Sequence, residues 1–368
     1  MSKILLFIPM YNCEKQIPRV LGQLTDEVCS YLDEVIVVNN RSTDNGETVA
    51  ADYLCERNLP VKAKVLRNDD NYGLGGSHKV AFQYAMDHGF DYVIVLHGDD
   101  QGDISNILPY LKNREYEKYD CFLGARFMKG SQLQGYSAFR TFGNRVYDLL
   151  FSAVCRYMVY DLGSGLNMYK TDILRDQFYL KYKDNLIFNY CMVMGSAYYK
   201  HKVKFFPIIW REEDQVSNVK MVSQAITVLQ LLASFAMNRK KFVEAEHRDK
   251  VVSAYTAQVV YENSFSKPEC RKEVQRESIS VEIPRGGHPH AVHRHRGVPR
   301  SVPERARPLR RGDLGAGAGH RADRALSARA EGHPPVPRPV RAEDQHLGAP
   351  RPLLQGDAGL HGPAVQGR

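Results

Sequence analysis

Residues 91–101 read Asp-Tyr-Val-Ile-Val-Leu-His-Gly-Asp-Asp-Gln, and this stretch decides the fold. Its apolar run, Tyr92 to Leu96, has the length of a buried strand and ends abruptly in His97, Asp99 and Asp100. A parallel α/β sheet delivers polar side chains in this way to a crevice at the carboxyl ends of its strands. Oxygen ligands there suit Mg²⁺ or Mn²⁺, which bind one or two carboxylates together with substrate phosphates. For an isolated Asp-Asp pair, the alternative interpretation is a solvated turn.

Three earlier segments repeat the same change from an apolar strand to a polar loop. The strands are residues 4–8, 34–38 and 61–66, and the loops after them contain Pro9-Met-Tyr11-Asn12, Asn39-Asn40-Arg-Ser-Thr-Asp44 and Asn71-Tyr-Gly73-Leu-Gly75. A helical pattern follows each loop, so strands and helices alternate at about 30 residues per unit. This alternation predicts a Rossmann-like, doubly wound α/β sheet with helices on both faces. The loops are expected to converge on one crevice.

The C-terminal part of the chain has a different composition. From Val281 to Arg368 there is no Lys, Tyr, Phe, Trp, Met, Cys or Asn. That segment holds 15 Arg against 8 acidic residues, a net charge of +7 out of +8 for the whole chain. It lacks the apolar residues needed to offset chain entropy, so a disordered tail is expected over 281–368. The same change is what out-of-frame translation of GC-rich DNA produces, and a frameshift near residues 273–285 is a second hypothesis.

These observations set the expected domains and partners. Residues 1–245 are expected to form the α/β domain, and 246–280 a linker or helical extension. The positive charge belongs to the tail, where Arg residues are dispersed and no aromatic side chain is available to stack on bases, so nucleic acid is not expected as a partner.

Features of the first 245 residues bear on localisation. No signal peptide is expected, since Lys3 leads directly into a strand, and no apolar run is long enough to predict a membrane span. The seven cysteines form no C-x-x-C pair and several lie in apolar segments, as in proteins of reducing compartments. A cytoplasmic protein is expected, with the cytoplasmic face of a membrane as an alternative. Residues 221–237, followed by a basic segment, are either a helix docked on the core or a helix lying on anionic lipid.

Gly73-Leu-Gly75-Gly-Ser-His78 suggests a dinucleotide-binding fingerprint, but the match is poor. The third glycine of G-x-G-x-x-G is replaced by His78, and the fingerprint belongs after the first strand, whereas this segment follows the third. A glycine-rich turn that opens a helix still allows the backbone to approach a ligand closely.

Taken in order, the motifs resemble those of a family 2 glycosyltransferase of the GT-A (nucleotide-diphospho-sugar transferase) fold. The resemblance covers residues 3 to about 240 and is to the branch of dolichyl- or polyprenyl-phosphate sugar synthases. The family's Pro-x-Tyr-Asn-Glu is similar to residues 9–14, its Val-Asp-Asp-x-Ser-x-Asp to residues 38–44, and its Asp-x-Asp metal motif to His97-Gly-Asp99. Two acids of the second motif are amides here, Asn39 and Asn40, and the first acid of the metal motif is His97.

Further matches follow downstream. Residues 124–127 resemble the family's Gly-Ser-Arg-Phe, residues 161–166 its Asp-x-x-Ser-Gly-Phe, and residues 207–220 its closing Pro-Ile-x-x-x-x-Arg…Ser-x-x-Lys. Arg140 and Asn144 match the start of its acceptor-side helix.

The resemblance implies an inverting, metal-dependent hexosyltransferase that uses a UDP- or GDP-linked sugar and a polyprenyl phosphate or glycan acceptor, in polysaccharide or glycolipid biosynthesis. It implies Asp99 and His97 as ligands of Mg²⁺ or Mn²⁺, Asp161 as general base, and Arg126 and Arg140 as contacts to an anionic acceptor. It also implies a set of donor-binding residues: Pro9, Tyr11, Asn12, Asn39, Asn40, Asp44, Gly73, Gly75, Arg211 and Lys220. A phosphate acceptor is already ionised and needs no base. A membrane surface is a further partner that this branch allows.

Three other functions stay open at this point. A nucleotidyltransferase would need a glycine-rich basic loop directly after the first strand, where the chain has Pro9-Met-Tyr-Asn12. A degenerate nucleotide-sugar-binding protein would account for Asn39, Asn40 and His97. An Arg-rich nucleic-acid-binding protein would depend on residues 281–368.

Overall fold

The computed structural model describes residues 2–212, 221–263 and 278–283, and the side chains of its last long helix from residue 224 onward. The strands are β1 (Ile4–Met10), β2 (Glu34–Asn39), β3 (Lys62–Asn68), β4 (Tyr92–Leu96), β5 (Cys121–Ala125), β6 (Gln132–Gln134), β7 (Leu166–Lys170), β8 (Val203–Pro207), β9 (Ile209–Arg211), β10 (Ala254–Glu262) and β11 (Ser278–Glu282).

The helices connect these strands as the alternating pattern predicts. They are α1 (Ile17–Gly22), α2 (Asp26–Cys29), α3 (Gly46–Arg57), α4 (Gly73–Asp87), α5 (Leu108–Lys112), α6 (Ala138–Cys155), α7 (Thr171–Leu174), α8 (Phe188–Tyr199), α9 (Met221–Met237) and α10 (Arg239–Glu244), with 3-10 helices at Ile104–Ile107 and Glu115–Lys118.

The described strands form a nine-stranded sheet in the order β11-β10-β3-β2-β1-β4-β7-β5-β8, and β6 and β9 form a second, two-stranded sheet. Strands β3, β2, β1 and β4 are parallel neighbours, whereas β7 runs antiparallel between β4 and β5. The chain order reverses between β1 and β4, so the loops after these two strands diverge and leave a crevice. The α/β class predicted from the sequence is confirmed.

Both faces of the sheet are covered, because successive residues of β1 point to opposite sides. Leu5 and Phe7 join a core cluster with α4, α6 and α8. Leu6 and Ile8 join a second cluster with α1, α3 and α5. The strands are therefore continuous apolar runs, as expected for parallel strands buried on both faces.

The expectation of a linker or helical extension over residues 246–280 is wrong where the structure has two strands. Residues 254–262 form β10, which pairs antiparallel with β3, and residues 278–282 form β11, which pairs with β10. The residues of β10 alternate between buried and partly exposed positions, which is the pattern of a strand. The start of the expected tail at Val281 therefore falls inside β11; the rest of that tail, residues 284–368, lies outside the described residues.

The helix α9 docks on the core through one face. Val228, Leu232 and Phe235 are buried, while Ile226 and Leu229 are exposed. None of the helices in the described ranges combines the length and apolarity needed to span a membrane. Cys13, Cys29, Cys121, Cys155 and Cys191 are buried free thiols.

Candidate active site

A cleft of about 1200 Å³ opens at the carboxyl ends of β1, β2 and β4. Its floor is formed by the loops after these strands, its sides by the glycine-rich start of α4 and by residues 185–190, and its mouth by α6 and α9. Among the residues predicted from the sequence, those that line it are Pro9, Tyr11, Asn12, Asn40, Gly73, His97, Asp99, Arg126 and Arg140. Loops remote in sequence are thus brought together where the switch in strand order predicts.

The loop after β4 presents Asp99 to the cleft. The Gly98 amide donates to the carbonyl of Pro9 at 3.0 Å, and a Cβ at Gly98 would lie 2.8 Å from that oxygen, so only glycine allows this approach. The Asp99 carboxylate accepts a hydrogen bond from the Gln101 amide at 3.2 Å. Burial raises the pKa of Asp99 to about 6, so part of the ordinary solvation of this carboxylate is lost.

His97 lies two residues before Asp99, and one of its ring nitrogens makes no hydrogen bond to the described residues. Its Nε2 atom is buried and has no hydrogen-bond partner among the described residues. A Cβ at Gly165 would lie 2.9 Å from the ring, so glycine makes room for the imidazole. Burial, followed by the charge of Arg126, lowers the pKa of His97 to about 4. The ring is therefore neutral near pH 7, with a nitrogen lone pair available to a ligand.

These two side chains fit a divalent ion whose remaining ligands come from a substrate. Within the described ranges no group of three or more His, Cys, Asp and Glu side chains is arranged to hold a metal by itself. One carboxylate and one imidazole suffice where phosphate oxygens complete the coordination. The neighbouring Asp100 is not available, because it bonds Arg19 Nε at 2.6 Å and Gln23 Nε2 at 3.1 Å.

The two asparagines after β2 have different roles. Asn40 lines the cleft, where its Oδ1 accepts from Asn68 Nδ2 at 3.0 Å and from the Tyr72 amide at 2.8 Å, while its Nδ2 donates to Asn71 at 2.8 Å. A carboxylate could accept the first two bonds but could not make the third. The amide therefore ties the loop after β2 to the glycine-rich turn.

Asn39 and Asp44 lie outside the cleft wall. Asn39 donates to Glu47 at 2.6 Å and accepts from the Ser42 amide at 2.9 Å. Asp44 accepts from the Glu14 amide at 2.9 Å and from the Gly46 amide at 3.0 Å. Both side chains shape the loop that presents Asn12 and Asn40.

Tyr11 and Asn12 occupy the outer edge of the cleft. The Tyr11 ring is 47% exposed, while Asn12 has a left-handed backbone (φ 54°) and accepts from the Thr43 amide at 2.8 Å. An exposed aromatic ring beside a fixed polar loop is suited to contact a nucleobase face.

Arg126 and Asp161 form a closed ion pair at one side of the cleft. Asp161 accepts from Arg126 Nε at 2.7 Å, from Nη2 at 2.8 Å and from the backbone amide at 2.8 Å, and also from the Gly163 amide at 2.9 Å. Four donors saturate the carboxylate, which therefore has no lone pair directed at a substrate proton. The guanidinium also lies over Trp210, 4.9 Å from the ring centroid.

Arg140 and Arg211 are placed differently from each other. Arg140 lines the cleft, pairs with Glu212 and lies 4.5 Å from the Tyr136 ring centroid. Arg211 is absent from the cleft wall and lies 3.9 Å from both Asp100 and Asp103.

Gly75 packs against another segment, its amide donating to the carbonyl of Asp184 at 2.7 Å. Lys220, the remaining predicted residue, lies outside the described residues.

Several cleft residues were missed by sequence reasoning. Tyr136, Asn189, Tyr190, Trp210 and Glu212 all line the cleft. The single tryptophan of the chain, two residues before Glu212, was the one available signal. Glu212 falls at a position that the family's closing motif leaves open, and Tyr136, Asn189 and Tyr190 lie outside the motifs.

The comparisons with known proteins agree with this geometry. Residues 6–178 match the family described as glycosyl transferase family 2. An undecaprenyl-phosphate mannosyltransferase from Micrococcus luteus is 25% identical over 173 residues, which is 47% of this chain and 68% of that protein. A UDP-N-acetylglucosamine–dolichyl-phosphate N-acetylglucosaminyltransferase from Methanococcus voltae is 24% identical over 184 residues, which is 47% of this chain and 71% of that protein.

Solved structures are also similar to the chain. Glucosyl-3-phosphoglycerate synthase from Mycobacterium tuberculosis, in complex with Mn²⁺, UDP and phosphoglyceric acid, has a TM-score of 0.47 at 14% identity, covering 64% of this chain and 79% of that one. S. aureus TarS with UDP-GlcNAc has a TM-score of 0.45 at 19% identity, covering 66% and 71%.

The family match and the strand order together confirm the predicted GT-A architecture and the predicted class of enzyme, a hexosyltransferase. Residues 6–178 thus carry a glycosyl transferase family 2 domain.

Proposed function

We propose that the cleft binds a nucleotide-diphospho-sugar together with Mg²⁺ or Mn²⁺ and transfers the sugar, with inversion, to a polyprenyl phosphate. The observation that carries the proposal is the placement of Asp99 and His97 in one cleft with Arg126 and Arg140. This arrangement pairs metal-binding side chains with cationic side chains that suit an anionic substrate.

Asp99 and His97 would hold the divalent ion. When bound, the ion neutralises the charge that develops on the diphosphate leaving group. Tyr11 and the Asn12 loop would contact the base, and the amide network around Asn40 keeps the donor-side loops in register.

The acceptor side favours a phosphate over a sugar hydroxyl. Asp161, the predicted base, is saturated by Arg126 and Gly163 and is poorly placed to take a proton. A glycan hydroxyl needs a base, whereas a phosphate attacks in its ionised form. Arg140, at the mouth of the cleft, supplies positive charge for that phosphate. The names of the Micrococcus luteus and Methanococcus voltae relatives, both polyprenyl-type phosphate transferases, support the same acceptor class.

The mouth of the cleft suits a lipid chain. On α6, Phe139 is 79% exposed and Phe142 68% exposed; Leu186, Ile226 and Leu229 are exposed nearby on the lining. The exposed cation Arg145 lies on α6, three residues after Phe142. An apolar patch with a cation beside it supports peripheral association with an anionic membrane, and we propose the cytoplasmic face as the location.

Donor binding by the full-length chain tests the first half of this proposal. UDP-GlcNAc, UDP-glucose and GDP-mannose are titrated with Mn²⁺, with Mg²⁺ and with EDTA. We expect binding of a UDP- or GDP-sugar that requires the ion and is lost in Asp99→Ala. The matched control is Asp172→Ala, since the Asp172 carboxylate is 66% exposed on α7 and pairs only with nearby cations. Equal binding by Asp99→Ala and the control would contradict the assigned metal site.

The full chain is needed because β10 and β11 are part of the sheet. A chain that ends at residue 245 would expose the edge of β3 and is not a fair test.

A further inference from the structure

A buried ion pair lies behind the glycine-rich wall of the cleft. Lys79, on α4, is fully buried. Its Nζ donates to the carbonyl of Tyr182 at 2.8 Å, to Asp184 Oδ1 at 2.6 Å and to the hydroxyl of Tyr255 at 3.1 Å. These three acceptors satisfy all three donors of the ammonium group. If one of these partners is lost, the charge stays buried without compensation and the folded state is destabilised.

The three hydrogen-bond acceptors of Lys79 come from two segments that are far apart in the sequence. Tyr182 and Asp184 precede the cleft wall formed by Asn185, Leu186 and Asn189, and Tyr255 belongs to β10. The Tyr255 hydroxyl also donates to the Asp184 carboxylate at 2.8 Å. Lys79 therefore joins α4, the wall segment and the C-terminal strand at one point.

The wall segment approaches the glycine-rich turn very closely at this point. The Gly75 amide donates to the carbonyl of Asp184 at 2.7 Å. A Cβ at Gly75 would lie 2.5 Å from the Lys183 carbonyl, and one at Gly73 would lie 2.4 Å from the Asp184 carbonyl. The two glycines are thus needed for contact with this wall. The width of the cleft between turn and wall depends on that contact.

Strand β10 holds the turn from its other side. Tyr72 packs edge-on against Tyr255 with ring centroids 5.1 Å apart, and its hydroxyl lies 3.2 Å from Thr256 Oγ1. Asp184, Tyr255 and Thr256 all lie beyond residues 6–178, the part that matches the family. These contacts therefore join the matched part of the chain to segments beyond it.

We propose that Lys79, through Asp184 and Tyr255, is a positioning residue that fixes the wall at residues 185–189 against the glycine-rich turn and thereby sets the affinity for the acceptor. This rests on the proposed function for the identity of the acceptor. Displacement of a substrate-facing segment by about 1 Å is enough to reduce turnover about 100-fold. The proposed donor contacts lie on the loops after β1 and β4, and these loops do not depend on the Lys79 contacts.

Three variants test the proposal. Lys79→Met removes the charge and keeps the length, and Tyr255→Phe removes only the hydroxyl, which protects the test if Lys79→Met fails to fold. Lys112→Met is the matched control, since Lys112 forms an exposed ion pair with Glu27 far from the cleft. Amide hydrogen exchange is measured by mass spectrometry on the free proteins, with the dissociation constant for the nucleotide sugar and the KM for a short, water-soluble isoprenyl phosphate.

We expect exchange to become up to about tenfold faster in peptides covering Gly75 and residues 182–189, as for loss of one hydrogen bond. Exchange in α3, on the opposite face of the sheet, stays unchanged. The KM for the isoprenyl phosphate rises about tenfold and donor affinity stays within about twofold. Lys112→Met changes none of these quantities.

Two results would overturn the proposal. Unchanged exchange at Gly75 and 182–189 in a folded variant would show that other contacts fix the wall. A uniform increase across the molecule in Tyr255→Phe, which keeps both charges, would show that this network serves only general stability. If the wild-type chain binds no nucleotide sugar, the proposed function fails, and the exchange measurement still decides the positioning role.

Discussion

The substitution Asp99→Asn is predicted to stabilise the metal-free protein while abolishing metal-dependent donor binding. In the absence of a metal, burial raises the pKa of Asp99 from 3.8 to about 6. That difference corresponds to about 3 kcal/mol at about 1.4 kcal/mol per pH unit. Asp99 is partly exposed to the cleft, and solvent screening reduces the expected gain to about 1.5 kcal/mol. An asparagine of the same shape does not carry this cost.

The pH dependence follows from the direction of the shift. Between pH 4 and pH 6 the folded state binds the Asp99 proton more tightly than the unfolded state does, so the stability of the wild type falls as the pH rises. Below pH 4 the carboxyl is protonated in both states, and above pH 6 it is ionised in both. The difference between variant and wild type should therefore be near zero at pH 4 and reach its full value above pH 6.

Thermal unfolding in EDTA measures this difference. At pH 7.5 we expect Asp99→Asn to melt about 4 °C above the wild type, and at pH 4 the two to coincide. The control is Asp172→Asn, which replaces an exposed carboxylate. Its melting temperature should not diverge from that of the wild type as the pH rises. A variant that melts at or below the wild-type temperature at pH 7.5 would refute the reasoning, because Asp99 would then be stabilised in the folded apo-protein.

Four further substitutions have definite expectations. Arg126→Met leaves the buried Asp161 carboxylate without its main partner and should cost about 3–5 kcal/mol of stability, read from thermal unfolding; a loss below about 1 kcal/mol would contradict the closed ion pair. Gly75→Ala places a Cβ 2.5 Å from the Lys183 carbonyl and should cost about 1–3 kcal/mol, whereas Gly143→Ala, with no atom within 4 Å, should be neutral or slightly stabilising. Glu212→Gln releases Arg140 from its ion pair and should tighten binding of an isoprenyl phosphate severalfold by calorimetry; unchanged affinity would argue against Arg140 as the phosphate contact.

The parallel part of the sheet was predictable because its strands are continuous apolar runs. The runs at residues 4–8, 34–38 and 92–96 correspond to β1, β2 and β4, and the polar loops that follow β1 and β4 meet at the cleft. Strand β10 was not predicted, although its residues alternate between buried and partly exposed positions, because it lies close to the change in composition. Its place at the edge of the sheet is decided by pairing with β3, which no local pattern encodes.

The chemistry of single residues was harder to predict than their presence in the site. Asp161 matches a family motif, but its pairing with Arg126, 35 positions earlier, depends on the tertiary fold. The partnership of Arg140 with Glu212 spans 72 positions and is equally invisible to spacing. Asn40 and Asn39, adjacent in sequence, point to different partners because successive residues at a strand end face opposite ways.

The most direct test of the account is product formation by the full-length chain. A UDP- or GDP-sugar is incubated with Mn²⁺ and a short isoprenyl phosphate, and the products are identified by mass spectrometry. We expect an isoprenyl phosphosugar that forms only with the divalent ion and is absent with Asp99→Ala. Metal-dependent donor binding without any transferred sugar would contradict it and identify the chain as a nucleotide-sugar-binding protein.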